Sequence, residues 1–453
     1  MRRLASALCV MMALAPPAGA QVDLSIPQVR ALAQQALDAG DTATAIRAAR
    51  GLLQADPRDP FAYFILSGAH ARQGDIALSR KAAAYAFRYS DDPRSKVVAG
   101  QHAARMALAE ERFGLAQIWL RRTAIHATSP AEKDLIARDY GGLRRLNPFS
   151  LSFSTALRPS SNVNNGSEDS LQVIDGVPVT GILSGTAQAL SGVIATGDLT
   201  LGYRLARTET SQTGIGLRLY ARHVALSSSA QAQAPGARNS DFASHFAEAT
   251  LRHVRAAGDG ALGLTGAAGQ SWYAGSSTYR FARGGIDYRH PLGDGAVLSL
   301  ALSVEERFST SGTRFDATSA TLGATLAQDL ANGDRLTLSF GLRDTDAAFA
   351  NDISTAISAR AGYAFGRAFG PVTLDAALTL GHSDYPSYMS GFIVVPGGRQ
   401  DRAAYADLNM VFQDLDYAGF VPSLQLRTGG TWSNDSRFET REISVSFGIQ
   451  SRF

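Results

Sequence analysis

The residues with the clearest catalytic potential in this sequence are His382, Ser383 and Asp384, which stand next to one another. At an external rim, a histidine beside an aspartate could serve an outer-membrane hydrolase as a dyad. The sequence contains no His-Glu-x-x-His pair, no Gly-x-Ser-x-Gly elbow and no carboxylate-rich calcium loop. The alternative reading of a histidine beside an aspartate at a loop rim is an ordinary polar contact. We therefore predict no enzymatic activity, no metal and no cofactor.

Basic side chains form two further candidate sets. The first could line a groove that binds a partner and consists of Arg47, Arg58, Arg72, Arg80 and Lys81. The second could line a polar lumen and consists of Arg204, Arg218, Arg335, Arg343 and Arg427. The alternatives are a solvated face for the first set and hydrated lumen residues without a bound substrate for the second. The helices and strands that carry these residues decide whether each set forms a binding surface or an ordinary hydrated one.

The start of the chain has the pattern of a secretory signal peptide. Arg2 and Arg3 precede an apolar stretch, which is followed by an Ala-x-Ala sequence. The apolar stretch is shorter than the roughly 20 residues that a transmembrane helix needs. We predict that residues 1–20 are removed and that the mature chain begins at Gln21. Because Cys9 is the only cysteine, the mature chain would contain no disulfide and no thiolate metal site.

Charge and composition divide the remaining chain near residue 147. Residues 21–146 hold 18 basic and 13 acidic residues, whereas residues 147–453 hold 23 basic and 27 acidic residues. The sum, 41 basic against 40 acidic, argues against a nucleic-acid partner. All three lysines lie in the first part, and the second is rich in Gly, Ser, Thr and Ala. We predict two domains with these bounds, the second of which must cross a membrane with strands, since no long apolar run occurs.

The first predicted domain has apolar residues at helical spacing and an internal repeat. Ala39-Gly40-Asp41 and Gln73-Gly74-Asp75 each separate two helical stretches, and 34 residues separate the two glycines. This is the period of the tetratricopeptide (TPR) repeat, and a third, weaker unit runs from Ala104 to Pro130. The alternative is an unspecialised helical bundle. In either case we expect a surface that binds a peptide or protein.

After Pro148 the hydrophobic pattern changes to period 2, as in the final segment, where Ile443, Val445 and Phe447 alternate with polar residues before the terminal Phe453. Such segments begin near Phe149, Ala195, Thr213, Phe242, Gly260, Arg280, Gly295, Phe315, Gly333, Ser354, Pro371, Arg402, Phe420 and Arg441. Their number, fourteen, is even, as in bacterial single-chain barrels. The sequence therefore predicts N-terminal TPR-like helical repeats followed by a 14-stranded antiparallel transmembrane β-barrel.

The connections between these segments alternate in length. Short ones carry turn residues, as at 257–260 and 331–334, and long ones lie at 159–194, 225–241 and 383–401. Short periplasmic turns and long external loops are typical of outer-membrane barrels. The first strand would then begin on the periplasmic side. We predict an outer-membrane protein of a Gram-negative cell with its helical domain in the periplasm.

Short motifs near both ends of the predicted barrel resemble those of the surface lipoprotein assembly modulator (Slam) family. At the start, Asn147-Pro148 and the strand 149–158 precede the Asn-rich segment SSNVNNG at 160–166. At the close, GFVPSL at 419–424 is followed by WSNDS at 432–436. The resemblance implies a translocator that moves surface lipoproteins, or secreted proteins, from the periplasm to the cell surface. It also implies a TPR domain facing the periplasm, and neither an enzyme activity nor a cofactor.

The predicted partners are a client surface lipoprotein or secreted protein, bound through the TPR-like domain, and outer-membrane lipid around a monomeric barrel. Two other functions fit the same architecture. One is a TPR-linked polysaccharide export porin, although such exporters usually carry more repeats. The other is a general diffusion porin, which has no need of a partner-binding domain.

Overall fold

The computed structural model describes residues 24–415, 417 and 420–451. The predicted signal peptide, residues 1–20, and the terminal aromatic Phe453 lie outside the described residues. The helices are α1 (Ile26–Ala39), α2 (Thr42–Ala55), α3 (Pro60–Gln73), α4 (Ile76–Tyr89), α5 (Pro93–Ala109), α6 (Phe113–Ala124), α7 (Pro130–Leu146) and the short α8 (Ser228–Gln233). No helix among the described residues is long and apolar enough to cross a membrane.

The first four helices form two hairpins that repeat the same local chemistry. Gly40 and Gly74 end α1 and α3 with φ of 82°, a left-handed conformation that glycine adopts without steric cost. Asp41 caps α2 by accepting a hydrogen bond from the Thr44 N–H at 3.0 Å. The starts of α1 and α3 are 34 residues apart, as are those of α2 and α4. The predicted helices and their 34-residue spacing are thus present.

Small residues hold these helices close together. Ala33, Ala45 and Ala62 are fully buried where α1, α2 and α3 meet, and Ile65 fills the same core. Alanine allows a close approach of the helix axes and has the highest helix propensity, which explains why this segment is so rich in it.

Packing divides the chain into two compact units. The first contains the residues up to Trp119 together with 126–128, and the second contains 120–125 and the residues from Ser129 onward. The helix α7, which opens with a capping box between Ser129 and Glu132, falls in the second unit.

The strands are β1 (Phe149–Ser160), β2 (Leu171–Ile174), β3 (Val177–Ile182), β4 (Gly192–Arg207), β5 (Ser211–Leu226), β6 (Ser244–Ala257), β7 (Gly260–Tyr273), β8 (Ser276–Gly293), β9 (Ala296–Ser309), β10 (Ala317–Asp329), β11 (Arg335–Ala347), β12 (Ser354–Ala364), β13 (Val372–Tyr385), β14 (Met389–Ser390), β15 (Ile393–Val394), β16 (Arg399–Phe412), β17 (Phe420–Ser433) and β18 (Thr440–Ser451). The pairs β2–β3 and β14–β15 are small separate hairpins, and the other fourteen strands form a closed antiparallel barrel. Each barrel strand begins within four residues of its predicted start. The prediction of an N-terminal helical segment followed by a 14-stranded antiparallel β-barrel is confirmed.

The barrel closes by pairing its first and last strands. In the described residues, this β1–β18 ladder joins Thr155 to Ile449, Ala156 to Gly448 and Leu157 to Phe447. These are three pairs, whereas the ladder on the other side of β1, with β4, has twelve. Among the residues that the structure describes, the seam is therefore the shortest ladder of the barrel wall.

The strands alternate between an apolar outer face and a polar inner face. On β1 the outward Leu151 is 59% exposed, and on β18 the outward Phe447 is 59% exposed. Large apolar side chains with this exposure, repeated around a closed barrel, form a surface suited to lipid. The intervening positions carry Ser, Thr, Gly and charged residues, which face the lumen.

The connections differ in length between the two ends of the barrel. At the end where β1 begins, all are turns or short loops, such as residues 258–259 between β6 and β7. At the other end the longest are 161–191, 227–243 and 386–398. One connection at this end departs from the predicted alternation: β7 and β8 are joined only by Ala274 and Gly275. Both have positive φ, which matches the twist of a two-residue hairpin.

The seam gives a direct test of barrel closure. Replacing Leu157 and Phe447 by cysteine, in a Cys9→Ser background, should give an intramolecular disulfide in the folded chain, because facing residues of antiparallel strands have Cα atoms about 4.5–5.5 Å apart. The crosslink is measured as a mobility change of the oxidised, heat-denatured protein on a gel. The matched positive control is a cysteine pair at Leu201 and Leu217, which face each other on β4 and β5. Crosslinking of the control pair without the seam pair would show that the barrel closes elsewhere.

Candidate functional site

A chain of ion pairs crosses the lumenal side of the seam. Arg360 on β12 and Arg427 on β17 share Asp407 on β16, at 3.1 and 3.4 Å. Arg427 also lies 3.5 Å from Glu442 on β18, and Glu442 in turn pairs with Arg158 on β1. The last pair joins the two strands of the shortest ladder. Charged side chains therefore support the wall where backbone pairing is least extensive.

Further ion pairs follow the inner face around the barrel. Arg283 bridges Glu248 and Glu305, and it lies 3.2 Å from the latter. Elsewhere, Arg252 pairs with Asp287 at 2.8 Å. The Arg283–Glu248 and Arg252–Asp287 pairs join β8 to β6 across the inner face of the intervening β7.

A polar cavity of about 410 Å³ lies within the lumen beside the seam. Its charged lining consists of Arg158, Arg222, Arg427 and Glu442. Neutral donors and acceptors complete it, among them Tyr220, Gln425 and Ser446. Five strands contribute: β1, β4, β5, β17 and β18.

Arg222 ties an outer loop to the wall of this cavity. Its guanidinium donates to the carbonyl oxygens of Val163 at 2.6 Å and Phe242 at 2.8 Å. Val163 belongs to the Asn-rich segment and is fully buried. A Cβ added to Gly166, in the same segment, would lie 2.3 Å from the Gln188 carbonyl oxygen, so only glycine fits there. The loop 161–191 is thus folded back against the barrel.

The asparagines of this segment hold the loop in place. Asn162 and Gly166 exchange two hydrogen bonds, at 2.8 and 2.9 Å. The Asn164 side chain accepts from the Leu190 N–H at 2.9 Å and donates to the Gln188 carbonyl at 2.8 Å. Their amides satisfy backbone groups that no strand ladder reaches.

The outer loops also meet around one buried arginine. The Arg399 guanidinium lies 3.8 Å from the ring centres of Tyr385 and Phe438 and 4.4 Å from that of Tyr388. It also pairs with Asp401 at 3.2 Å. Burial raises the pKa of Tyr388, so its ring remains neutral beside the cation. This cage holds residues from two connections, 386–398 and 434–439, against each other.

Asp435 extends this layer to the β2–β3 hairpin. It is fully buried and accepts from Ser390 at 2.6 Å and from Gln172 at 2.8 Å. Three features of the outer end, the β2–β3 hairpin, the β14–β15 hairpin and the 434–439 connection, therefore share one hydrogen-bonded layer.

The five arginines predicted to line the lumen lie on its inner face or at its ends. Arg218 pairs with Asp198 at 2.5 Å, and Arg427 lines the cavity. Arg343 donates to the neutral Ser319 Oγ at 3.1 Å. At the turn end, Arg335 pairs with Asp329 at 2.6 Å, and Arg204 donates to the Leu146 carbonyl at 2.8 Å.

The five basic residues predicted to line a groove in the helical segment have different environments. Arg80 is 14% exposed and pairs with Glu110 at 2.7 Å. Arg72 donates to the Leu37 carbonyl, and Arg47 to Thr44 Oγ1 at 3.0 Å. Arg58 and Lys81 are exposed. The structure does not bring the five to one cavity.

Instead, an apolar cavity of about 330 Å³ opens between α3, α4 and α5. Phe64, Ala86 and Val98 line it, and Val98 is 46% exposed. Arg94 and Ser95 stand at its polar edge. The Ser95 hydroxyl and N–H donate to Asp92 at 2.7 and 2.8 Å, which holds the pKa of that carboxyl below its ordinary value.

His382, Ser383 and Asp384 do not all share one face of their strand. They follow one another on β13, so their side chains alternate. Ser383 faces Asp401 on the lumenal side, whereas His382 and Asp384 share the outer face with Leu380. The absence of enzymatic activity stays a prediction.

Two features are not among the sites predicted from the sequence. They are the lumenal pair of Arg158 and Arg222, and the apolar cavity near Val98. The alternation of β1 and β5 places both arginines on the polar face, so the sequence does indicate that each faces the lumen. That they meet in one cavity depends on the register between β1 and β18, which alternation alone does not determine.

Neither a protein-family model nor a curated protein matches the chain. Solved structures that resemble it include an outer membrane channel from Pseudomonas putida F1, at 11% identity and a TM-score of 0.35, covering 66% of this chain and 94% of that one. CdiB from Acinetobacter baumannii resembles it at 13% identity and a TM-score of 0.37, and the match covers 66% of this chain and 60% of CdiB. The Yersinia enterocolitica type III secretion translocator chaperone SycD resembles it at 21% identity and a TM-score of 0.24, and the match covers 27% of this chain and 86% of SycD.

The closed barrel of fourteen strands, with its outward apolar face, is the architecture of an outer-membrane protein, and the chain is located in the outer membrane.

Removing the caged arginine should loosen the outer loop layer. We expect Arg399→Met, which keeps a similar length but loses the charge, to make the 386–398 connection susceptible to proteinase K added to intact cells. Cation–π contacts contribute about 0.5–2 kcal/mol each, and this variant loses three. The control is Arg238→Met on another outer loop, where the arginine side chain is 82% exposed. Equal resistance of both variants would show that the cage does not hold the layer.

Proposed function

We propose that this chain is an outer-membrane translocator that delivers surface lipoproteins or secreted proteins from the periplasm to the cell surface. In this proposal, the helical segment collects the client and the barrel provides the route across the membrane. It assigns no enzymatic step and no cofactor to the chain. It is the function that the Slam resemblance implies.

The observation that carries the proposal is the apolar cavity between α3, α4 and α5. An exposed apolar recess costs free energy unless something covers it, and burying one large apolar side chain contributes about 1.5–3 kcal/mol. Phe64 and Val98 supply the apolar wall, and Arg94 supplies a polar edge. This combination suits an extended or helical peptide segment that presents an apolar side chain.

The helical hairpins support the same reading. Their 34-residue spacing and their paired Gly-Asp turns are typical of TPR units, which stack to form surfaces for peptide partners. We therefore propose that α1 to α6 are TPR-like repeats with the α3–α5 cavity as their client site.

The barrel itself favours a gated translocator over a diffusion porin. Ion pairs such as those of Arg283 connect non-neighbouring strands, and Arg222 anchors a folded loop inside the rim. We propose that the folded loop held by Arg222 keeps the barrel closed between clients, which a translocator requires and a permanently open diffusion pore does not.

The client site can be tested by placing a charge in the cavity. We expect Val98→Glu to lower the amount of client lipoprotein at the cell surface, because a carboxylate in the apolar recess disfavours an apolar ligand. A penalty of about 1.4 kcal/mol weakens binding roughly tenfold. The measurement is protease accessibility of lipoproteins on whole cells, compared with their total amount.

The matched control is Leu78→Glu on α4. Leu78 is 48% exposed, close to the 46% of Val98, but does not line the cavity. Both variants should reach the outer membrane in equal amounts. If Leu78→Glu and Val98→Glu reduce surface lipoproteins equally, the cavity is not the client site. If removal of the whole gene changes only the passage of small solutes or polysaccharide, a pore is the better description.

A further inference from the structure

The lumenal cavity beside the seam contains an arginine whose charge has no acidic partner. Arg222 donates only to the carbonyl oxygens of Val163 and Phe242. Among the residues that the structure describes, no carboxylate lies within 4.0 Å of its guanidinium nitrogens. Carbonyl oxygens satisfy hydrogen bonds but do not neutralise the charge.

Other arginines of the inner face differ in this respect. Arg218, Arg252 and Arg283 each pair with at least one carboxylate. Unpaired charges at half-buried positions are costly, so paired arginines are the expected arrangement in such a lumen. Arg343 and Arg204 also have neutral partners, but of these three arginines Arg222 is the one that lines the cavity.

The lining of the cavity as a whole contains more positively than negatively charged side chains. Three guanidiniums, those of Arg158, Arg222 and Arg427, face it together with one carboxylate, that of Glu442. Glu442 is already shared between Arg158 and Arg427. The cavity thus has an excess of positive charge, with its source at Arg222.

We propose that this cavity is a binding site for a carboxylate group. A guanidinium presents parallel N–H donors that match the two oxygens of a carboxylate, and such charge-assisted hydrogen bonds are about twice as strong as neutral ones. Tyr220, Gln425 and Ser446 add neutral hydrogen-bonding groups for the rest of the ligand. The volume of about 410 Å³ lies in the range of small-molecule sites.

The carboxylate has two possible sources: a free organic acid, or an acidic side chain of a polypeptide inside the barrel. Both offer the same group to Arg222. The inference goes beyond the proposed function and does not depend on it, because binding to the purified full-length chain involves no translocation.

The test is isothermal titration of the purified, folded full-length chain with succinate and, separately, with a peptide of six glutamates. At least one of the two should bind, and Arg222→Gln should weaken that binding at least tenfold. The control is Arg343→Gln, which removes another lumenal arginine that has a neutral partner and lies outside the cavity. This control should bind like the unchanged chain.

Because Arg222 also anchors the loop at Val163, a second variant leaves it intact. Ser446→Glu places a carboxylate inside the cavity, where it should occupy the site and abolish binding. Gln450→Glu, on the same face of β18 but outside the cavity lining, should not. Heat-modifiable migration on gels reports the folded barrel in each variant.

Binding of succinate alone would assign the site to free organic acids, and binding of the peptide alone would assign it to acidic segments. Failure of both probes to bind the folded chain would overturn the proposal. Equal weakening by Arg222→Gln and Arg343→Gln would also overturn it, since overall lumenal charge would then be responsible.

Discussion

Every backbone N–H and C=O group of a strand in lipid must find a hydrogen-bond partner, because the hydrocarbon supplies none. The fourteen strands meet this requirement by closing on themselves, and closure depends on the contact between β1 and β18. That contact has three ladder pairs in the described residues, and the Arg158–Glu442 ion pair reinforces it on the lumenal side. Closure of the barrel therefore depends both on backbone pairing in its wall and on an ion pair on its lumenal side.

The inner face follows from this arrangement. Alternation sends every second residue into the lumen, where a charged side chain is stable only if it is hydrated or paired. Most lumenal arginines have a carboxylate on a nearby strand, as Arg252 has Asp287. Arg222 uses two of its five N–H donors to hold the carbonyl oxygens of Val163 and Phe242 and retains its charge. The same residue thus links the outer loop 161–191 to the lumenal cavity, whose charged lining consists of three arginines and one glutamate.

Much of this architecture could be predicted from the sequence, and the reason is periodicity. The start of β1 at Phe149 follows from its alternation, and the start of β7 at Gly260 follows from the turn residues 257–260. The hairpins at Gly40 and Gly74 follow from their spacing. The outer loop layer could not be predicted, because the partners of Arg399 and Asp435 are far away in the sequence and lie in irregular segments. The β7–β8 turn was missed for a different reason: Ala274 is an unusual residue at positive φ, so its sequence carried no hairpin signal.

The central claim is that the helical segment captures a client that the barrel then delivers. It is tested most directly by deleting residues 21–146 while retaining residues 1–20, and by comparing this chain with the full-length one at matched barrel levels in the outer membrane. The measurement is the compartment of each lipoprotein and secreted protein, determined by protease treatment of whole cells and of opened periplasm. If the helical segment captures the client, at least one client should disappear from the surface and accumulate in the periplasm. If every lipoprotein and secreted protein keeps its location in cells that carry the shortened chain, and in cells that lack the gene altogether, the claim is contradicted.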